Sequence, residues 1–374
     1  MSEAIKKGPF KYDVVGSFLR PEAVKEARAA FAEGKLDAAS LRKVENEEIA
    51  KSVDKQIAVG LKAVTDGEFR RRYWHLDFLA DLEGVEEVKV DKWLVAFKGH
   101  QPKAANIAIT GKLGFGKHPF IEDFKEFNKI VDGRAVAKVT IPSPSMLHLM
   151  VCVRPDSYTP LDIYKDEDAL FQDIAETYRQ AVKAFYEAGC RYLQFDDTSW
   201  GEFCDQNKRE AYAKKGIDLN RLAKKYVDVI NYAIADRPAD MTITMHICRG
   251  NFRSTWFSSG GYEPVAETLF SNCKIDGFFL EYDSDRAGGF TPLRYIKNQT
   301  VVLGLVTSKF PELESEADLE ARIKEAELYV PKDQLAISPQ CGFASTEEGN
   351  ELTEDDQFAK LALIKRVADR VWGE

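Results

Sequence analysis

The chain has 374 residues, 44% of them hydrophobic and 30% charged, and its 61 acidic against 52 basic side chains leave a formal net charge of −9. No apolar run approaches the roughly 20 residues that a membrane-spanning helix needs, and the N-terminal MSEAIKKGPFKYD has no apolar core of the signal-peptide kind, so the expected home is the cytoplasm. A net acidic chain is a poor partner for nucleic acid, and six widely scattered cysteines are too sparse for a disulfide framework.

Eight short runs rich in bulky, β-branched or aromatic residues read as strands: YDVVGSF (12–18), AVTDGE (63–68), AVAKVTIPS (135–143), YLQFDD (192–197), MTITMHIC (241–248), GFFLEYD (277–283), VVLGLVTS (301–308) and LAISPQCGF (335–343). Helical patterns fill most gaps between them. Leu41, Ile49, Val53, Ile57 and Leu61 make one apolar stripe before the second run, and Phe358, Leu361, Ile364, Ala368 and Val371 make another near the C-terminus. Alternating strands and helices with near-continuous apolar strands imply a parallel sheet covered by helices. The dinucleotide and Walker glycine motifs of an open sheet are missing, since GFGK at 114–117 is too short and lies away from any strand–helix junction. Eight strands without those motifs predict an α/β fold of the (β/α)8 TIM-barrel type, built as a single domain over 1–374. One segment interrupts the alternation: EVKVDKWLVAF and ANIAITGKL read as a β-hairpin inserted at 84–118, before the third strand.

In such a barrel the active site lies at the C-terminal ends of the strands. Almost every run here ends in a polar side chain: Ser17, Asp66 and Glu68, Ser143, Asp196 and Asp197, His246 and Cys248, Glu281 and Asp283, Thr307 and Ser308, and Cys341. For any single one, the plain alternative is a strand end meeting solvent. His246 and Cys248 share one strand face because strand side chains alternate with period two, and Cys341 closes the last run. Taken alone, H-x-C also describes a buried histidine and cysteine in a core. Joined by Glu281 and Cys341 at one rim, the four suit Zn²⁺, which takes thiolate, imidazole and carboxylate. Cys152, Cys190, Cys204 and Cys273 read as small buried apolar residues, and His100, His118 and His148 as structural or solvated. His75 reads as part of a loop or helix start, and the basic run in EFRRRYWH as a solvated helix face.

Two thiolates, an imidazole and a carboxylate neutralise zinc beyond its charge and blunt its power to acidify water, so a zinc-hydroxide hydrolase is disfavoured. The same ligands suit a bound thiol, which is deprotonated on the metal but mostly protonated when free, at a pKa of about 8.5. That predicts a thiol S-alkyltransferase in which Glu281 steps back to open a position. Glu68 and Asp196 would pair with a substrate ammonium, and Ser17 with neighbouring N–H groups would hold a carboxylate, which describes an amino acid carrying a thiol.

At VVGSF, TDGEF, FDD, MHIC, FFLEYD and SPQCGF, in this order and across nearly the whole chain, the sequence resembles the cobalamin-independent methionine synthase family, in its catalytic C-terminal barrel. The resemblance implies zinc held by His246, Cys248, Glu281 and Cys341, with homocysteine held by Ser17, Glu68 and Asp196. It describes a single-barrel, core-type member, without the N-terminal barrel of the full-length enzymes. The family histidine after the seventh strand is replaced by Thr307, Ser308 and Lys309, and the pterin-stacking tryptophan near the third strand is absent, with Trp200 either a substitute platform or an ordinary packing residue. The losses fall on the donor side, so the methyl donor stays open between methyl-tetrahydrofolate, a methylated corrinoid and a small methyl-sulfur or methyl-ammonium compound. The alternatives to a homocysteine methyltransferase are an alkyltransferase for another thiol, such as a coenzyme thiol, and a non-catalytic zinc- or thiol-binding barrel.

Overall fold

The computed structural model describes residues 7–89, 97 and 105–373. Among them nine strands follow in chain order: β1 (Ala63–Val64), β2 (Glu83–Lys89), β3 (Ala105–Gly114), β4 (Val136–Pro142), β5 (Tyr192–Asp197), β6 (Thr242–Ile247), β7 (Gly277–Glu281), β8 (Thr300–Val306) and β9 (Leu335–Pro339). Seven of them form one curled parallel sheet in the order β1-β4-β5-β6-β7-β8-β9. Every residue of β5, β6, β7 and β9 is buried, as expected of parallel strands covered on both faces.

The helices supply the outer cover. The helix Glu167–Glu187 buries Leu170, Ile174, Tyr178, Ala181 and Phe185, advancing by three or four residues along one face. The helix Ala38–Ala58 starts where the Asp37 carboxylate accepts the Ser40 N–H, and it buries Ile49 and Val53. Leu61 is buried but lies beyond that helix, on the approach to β1. The helix Glu354–Trp372 opens with a reciprocal cap between Thr353 and Asp356 and buries Leu361, Ile364 and Ala368. No helix among the described residues is long and apolar enough to cross a membrane.

The run at 12–18 departs from a regular strand. It touches both edges of the sheet through single parallel bridges, Tyr12 to Ile337 on β9 and Ser17 to Gly67 beyond β1. The physical reason is that its backbone groups are taken by side chains. Lys138 bonds the Val14 carbonyl, Gln194 Nε2 bonds the Val15 carbonyl at 2.7 Å, and Thr65 Oγ1 bonds the Gly16 carbonyl. The Asp13 carboxylate itself accepts the N–H groups of Phe10 and Val14, at 3.3 and 2.7 Å. The second run is also shorter than expected, because Gly67 and Glu68 turn into the left-handed region at φ 68° and 61°.

β2 and β3 pair antiparallel outside the main sheet, with Val85, Ile107, Ile109 and Leu113 buried on one face. Of the segment 84–118, residues 90–96 and 98–104 lie outside the described residues, and with them His100.

Candidate active site

Four donor-bearing side chains meet at the C-terminal mouth of the sheet. His246 lies near the end of β6 with Cys248 just beyond it, Glu281 ends β7, and Cys341 follows β9 by two residues. One ligand atom from each of the four falls within 4.8 Å of all the others, and all four side chains are buried. The two sulfurs are 3.6 Å apart, and the Cys248 sulfur accepts the Gly250 N–H at 3.3 Å. His246 Nδ1 faces the Phe279 carbonyl at 3.3 Å, which assigns the proton to Nδ1 and leaves the lone pair on Nε2. That Nε2 is buried and has no hydrogen-bond partner. An orphaned imidazole nitrogen facing two thiols and a carboxylate is a donor set that fits zinc. A hydrogen bond from Cys248, together with the His246 charge, outweighs burial and holds Cys341 well below the ordinary thiol range. Burial works against a charged His246, but the Cys341 charge outweighs it and raises the imidazole to about 9.

Two further carboxylates line the same mouth. Asp196 stands beside His246 in the β5–β6 register and accepts the Gln194 amide at 2.8 Å. Burial pushes its carboxyl up to about 7. Glu68 sits on a strained turn; its Oε1 accepts the Thr140 hydroxyl at 2.7 Å, and its buried Oε2 has no hydrogen-bond partner. Burial raises the Glu68 carboxyl, with Arg71 and Arg20 opposing. Ser17 Oγ accepts the Ala344 N–H at 3.3 Å and lies so close to Gly342 that a β-carbon there would stand 1.9 Å from it.

Two expectations are corrected here. Trp200 is fully buried, edge-on to Phe203 and Tyr226 at 5.9 and 6.2 Å, so it fills the core beneath the mouth and offers no stacking face. The basic run is only partly solvated. Arg71 is buried, 3.5 Å from Glu68 and bonded to the Thr140 carbonyl at 2.6 Å, and Arg70 is nearly as covered, whereas Arg72 is half-exposed. His75 stands at the start of a short helix, as expected; it is buried and stacked on Trp74 at 4.5 Å, and burial with Arg154 nearby pushes it down to about 3.

Aromatic faces collect beside Cys248 instead. A narrow cleft is lined by Tyr73, Trp74, His75, Phe97, Phe252 and Phe257, with Arg154, Thr198, Asn251 and Thr346 among its polar groups. Where the family histidine would lie, Lys309 is buried and donates to Asn251 Oδ1 at 2.8 Å and to the Gly250 and Thr255 carbonyls at 3.3 and 3.2 Å. His118 and His148 are spent on the Phe78 carbonyl and the Tyr226 hydroxyl, both at 2.9 Å. Cys190, Cys204 and Cys273 are buried and Cys152 is half-buried. Asp197 is held by Ser143, Ser145 and Ser199, below the mouth.

Sequence reasoning missed Arg286, which bonds Glu281 Oε2 at 2.9 Å while the Arg249 N–H takes Oε1 at 3.0 Å. Its signal was present: a fully buried glutamate demands a counter-ion, and Arg286 follows the strand end by only a few residues.

The catalytic domain model described as cobalamin-independent synthase matches residues 10–369. The chain is 50% identical over 373 residues to the uncharacterized protein YxjH of Bacillus subtilis (strain 168), covering 99% of this chain and 97% of that one. It is 23% identical to a methionine synthase of Saccharolobus solfataricus over 88% of this chain and 86% of the relative. Among solved structures it is similar to a candidate vitamin-B12-independent methionine synthase from Listeria monocytogenes, at 46% identity, TM-score 0.79, and coverage of 99% and 100% of the two chains. A B12-independent methionine synthase from Shewanella sp. W3-18-1, solved with selenomethionine, shares the fold at 20% identity and TM-score 0.72, covering 96% and 97%. A family match over nearly the whole length, with close relatives covered end to end, places this chain in the cobalamin-independent methionine synthase family.

Proposed function

We propose that the protein is a zinc-dependent S-methyltransferase that converts homocysteine to methionine, with residues 1–374 acting as one cytoplasmic (β/α)8 catalytic unit, segment 12–18 as its eighth stave and 84–118 as an inserted hairpin. The observation that supports it most is the meeting of His246, Cys248, Glu281 and Cys341 within 4.8 Å beside the buried carboxylates of Glu68 and Asp196.

Zinc held by those four residues would keep the substrate sulfur as thiolate near neutral pH. Glu68 Oε2, buried and without a partner, together with Asp196, provides the acceptors for the substrate ammonium. Ser17 and the N–H groups around it face the carboxylate, so that both ends of an amino acid are read and its side chain is directed to the sulfur pair. The methyl carbon then bonds to the substrate sulfur, and the donor keeps the electron pair of the bond it loses. The aromatic cleft beside Cys248 is where a donor can approach, and its identity is left to experiment.

Purified protein offered homocysteine with methyl-tetrahydrofolate, methylated corrinoid and small onium donors should form methionine with one of them and carry one zinc per chain. Cys341→Ser should lose both the metal and the turnover. Glu68→Gln should keep the zinc and weaken homocysteine at least tenfold, as expected when a buried charge-assisted hydrogen bond is lost. No stoichiometric zinc, or full activity in Cys341→Ser, would overturn the proposal. A Glu68→Gln variant with unchanged thiol affinity would point to the coenzyme-thiol reading, and zinc without turnover on any donor to a binding barrel.

A further inference from the structure

The Glu281 carboxylate is fully buried, and its two oxygens are both engaged, by the Arg249 N–H at 3.0 Å and by Arg286 at 2.9 Å. The same Arg286 nitrogen lies 2.8 Å from Asp283 Oδ1, and another nitrogen of the guanidinium bonds Ser284 Oγ at 2.8 Å. Arg286 is itself buried, with its guanidinium 4.9 Å from the Trp256 ring centre. One guanidinium nitrogen therefore serves two buried carboxylates. Asp283 and Glu281 compete for that nitrogen.

From this geometry we infer that Arg286 is a positioning residue: it is the alternative partner that draws Glu281 off the metal and so opens the position taken by the substrate thiol. The inference rests on the proposed zinc-dependent reading. Glu281 exchanges between two cationic partners, and Asp283 sets the balance by competing for Arg286. No bond to the substrate involves Arg286, so its removal alters the exchange and leaves the sulfur chemistry intact.

The experiment uses the full-length protein with Zn²⁺ and with Co²⁺ in its place, the latter for its thiolate-sensitive absorption. In Arg286→Met, Glu281 lacks its second partner, so release of zinc to a chelator should slow and the homocysteine concentration that half-shifts the cobalt spectrum should rise about tenfold or more. The KM for homocysteine should rise with it, while kcat at saturating thiol changes little. Arg286→Lys keeps the charge and should restore most of the thiol response. Asp283→Asn leaves Arg286 wholly to Glu281 and should act in the opposite direction, with faster zinc release and thiol binding no weaker than in the parent. Both substitutions shifting zinc release and thiol binding in the same direction, or neither shifting them, would overturn the inference. That result in a parent that binds zinc and homocysteine leaves the proposed function standing, whereas a parent that binds neither fails at the earlier step.

Discussion

At the scale of single residues, the mouth is crowded enough that one methyl group decides stability. Gly342 has no left-handed φ, so its constraint is space: a β-carbon would come within 1.9 Å of Ser17 Oγ and 3.0 Å of Ser17 Cβ. Gly342→Ala should destabilise the protein by about 2 kcal/mol, within the usual range for overpacking, and Ser17→Ala in the same chain should recover much of that loss. Urea denaturation of the two single variants and the double variant measures it, and additive losses would show that the two residues do not press on one another. Single residues also mark how far the sequence could be read. His246, Cys248, Glu281 and Cys341 stood out because strand periodicity and strand order already place them at one rim. Arg71, Arg286 and Lys309 did not, because their pairing with Glu68, Glu281 and Asn251 depends on how loops fold back and not on any repeating spacing. Trp200 stayed between platform and packing for the same reason: position after a strand does not say whether a ring faces the mouth or the core.

At the scale of elements, strand cores were legible and strand ends were not, since burial writes an apolar run but a turn is set by local hydrogen bonds. The stop after Val64 follows from the left-handed Gly67 and Glu68, and the loosened 12–18 segment from its side-chain-bonded carbonyls. The junction between β3 and the helix Phe120–Val131 carries a pH dependence of its own. His118 is buried; its Nδ1 accepts the Phe120 N–H at 3.3 Å and its Nε2 donates to the Phe78 carbonyl at 2.9 Å, so only the neutral ring satisfies both neighbours. Burial is the main cause of its pKa falling to about 4. The folded value lies below the unfolded one of about 6.5, so protonation favours the unfolded chain. Stability from this residue is therefore complete above about pH 6.5 and is lost as the pH falls toward 4, at about 1.4 kcal/mol per unit. Between pH 6.5 and 5 the parent should lose about 2 kcal/mol more than His118→Asn, measured by urea denaturation at each pH. Equal losses in both would show that His118 titrates as it does in the unfolded chain.

At the scale of the whole molecule, one buried side chain joins the two edges of the curled sheet at the seam that segment 12–18 occupies. Between the edge strands β1 and β9 the segment 12–18 makes isolated bridges at Tyr12 and Ser17, joined by side-chain bonds from Lys138, Gln194 and Thr65. Arg20 spans that gap. Its buried guanidinium donates to the Phe18 carbonyl at 2.9 Å, to Gly67 at 3.2 Å, to Ala344 at 2.9 Å and to the Arg71 carbonyl at 3.3 Å. These four carbonyls belong to the N-terminal segment, the turn after β1 and the loop after β9, which carry Ser17, Glu68 and Cys341. Burial lowers the Arg20 pKa to about 10, which still leaves it cationic at neutral pH. Arg20→Met would leave buried carbonyls without donors, and at about 1–3 kcal/mol for each unsatisfied group a total loss of at least about 3 kcal/mol is expected. The loss should reach function unevenly. Homocysteine binding should weaken, because Ser17 and Glu68 flank the seam, whereas zinc affinity should change less, because three of its four donors, His246, Cys248 and Glu281, stand on or just beyond β6 and β7, away from it, and Cys341 alone lies on a loop that Arg20 holds. Arg20→Lys should recover only part of the stability, since an ammonium cannot reach four carbonyls with the planar fork of a guanidinium. Denaturation midpoints, zinc competition and thiol titration on these two variants decide the matter: unchanged stability, or zinc and thiol affinities falling together, would show that the ring is closed by the strand bridges themselves.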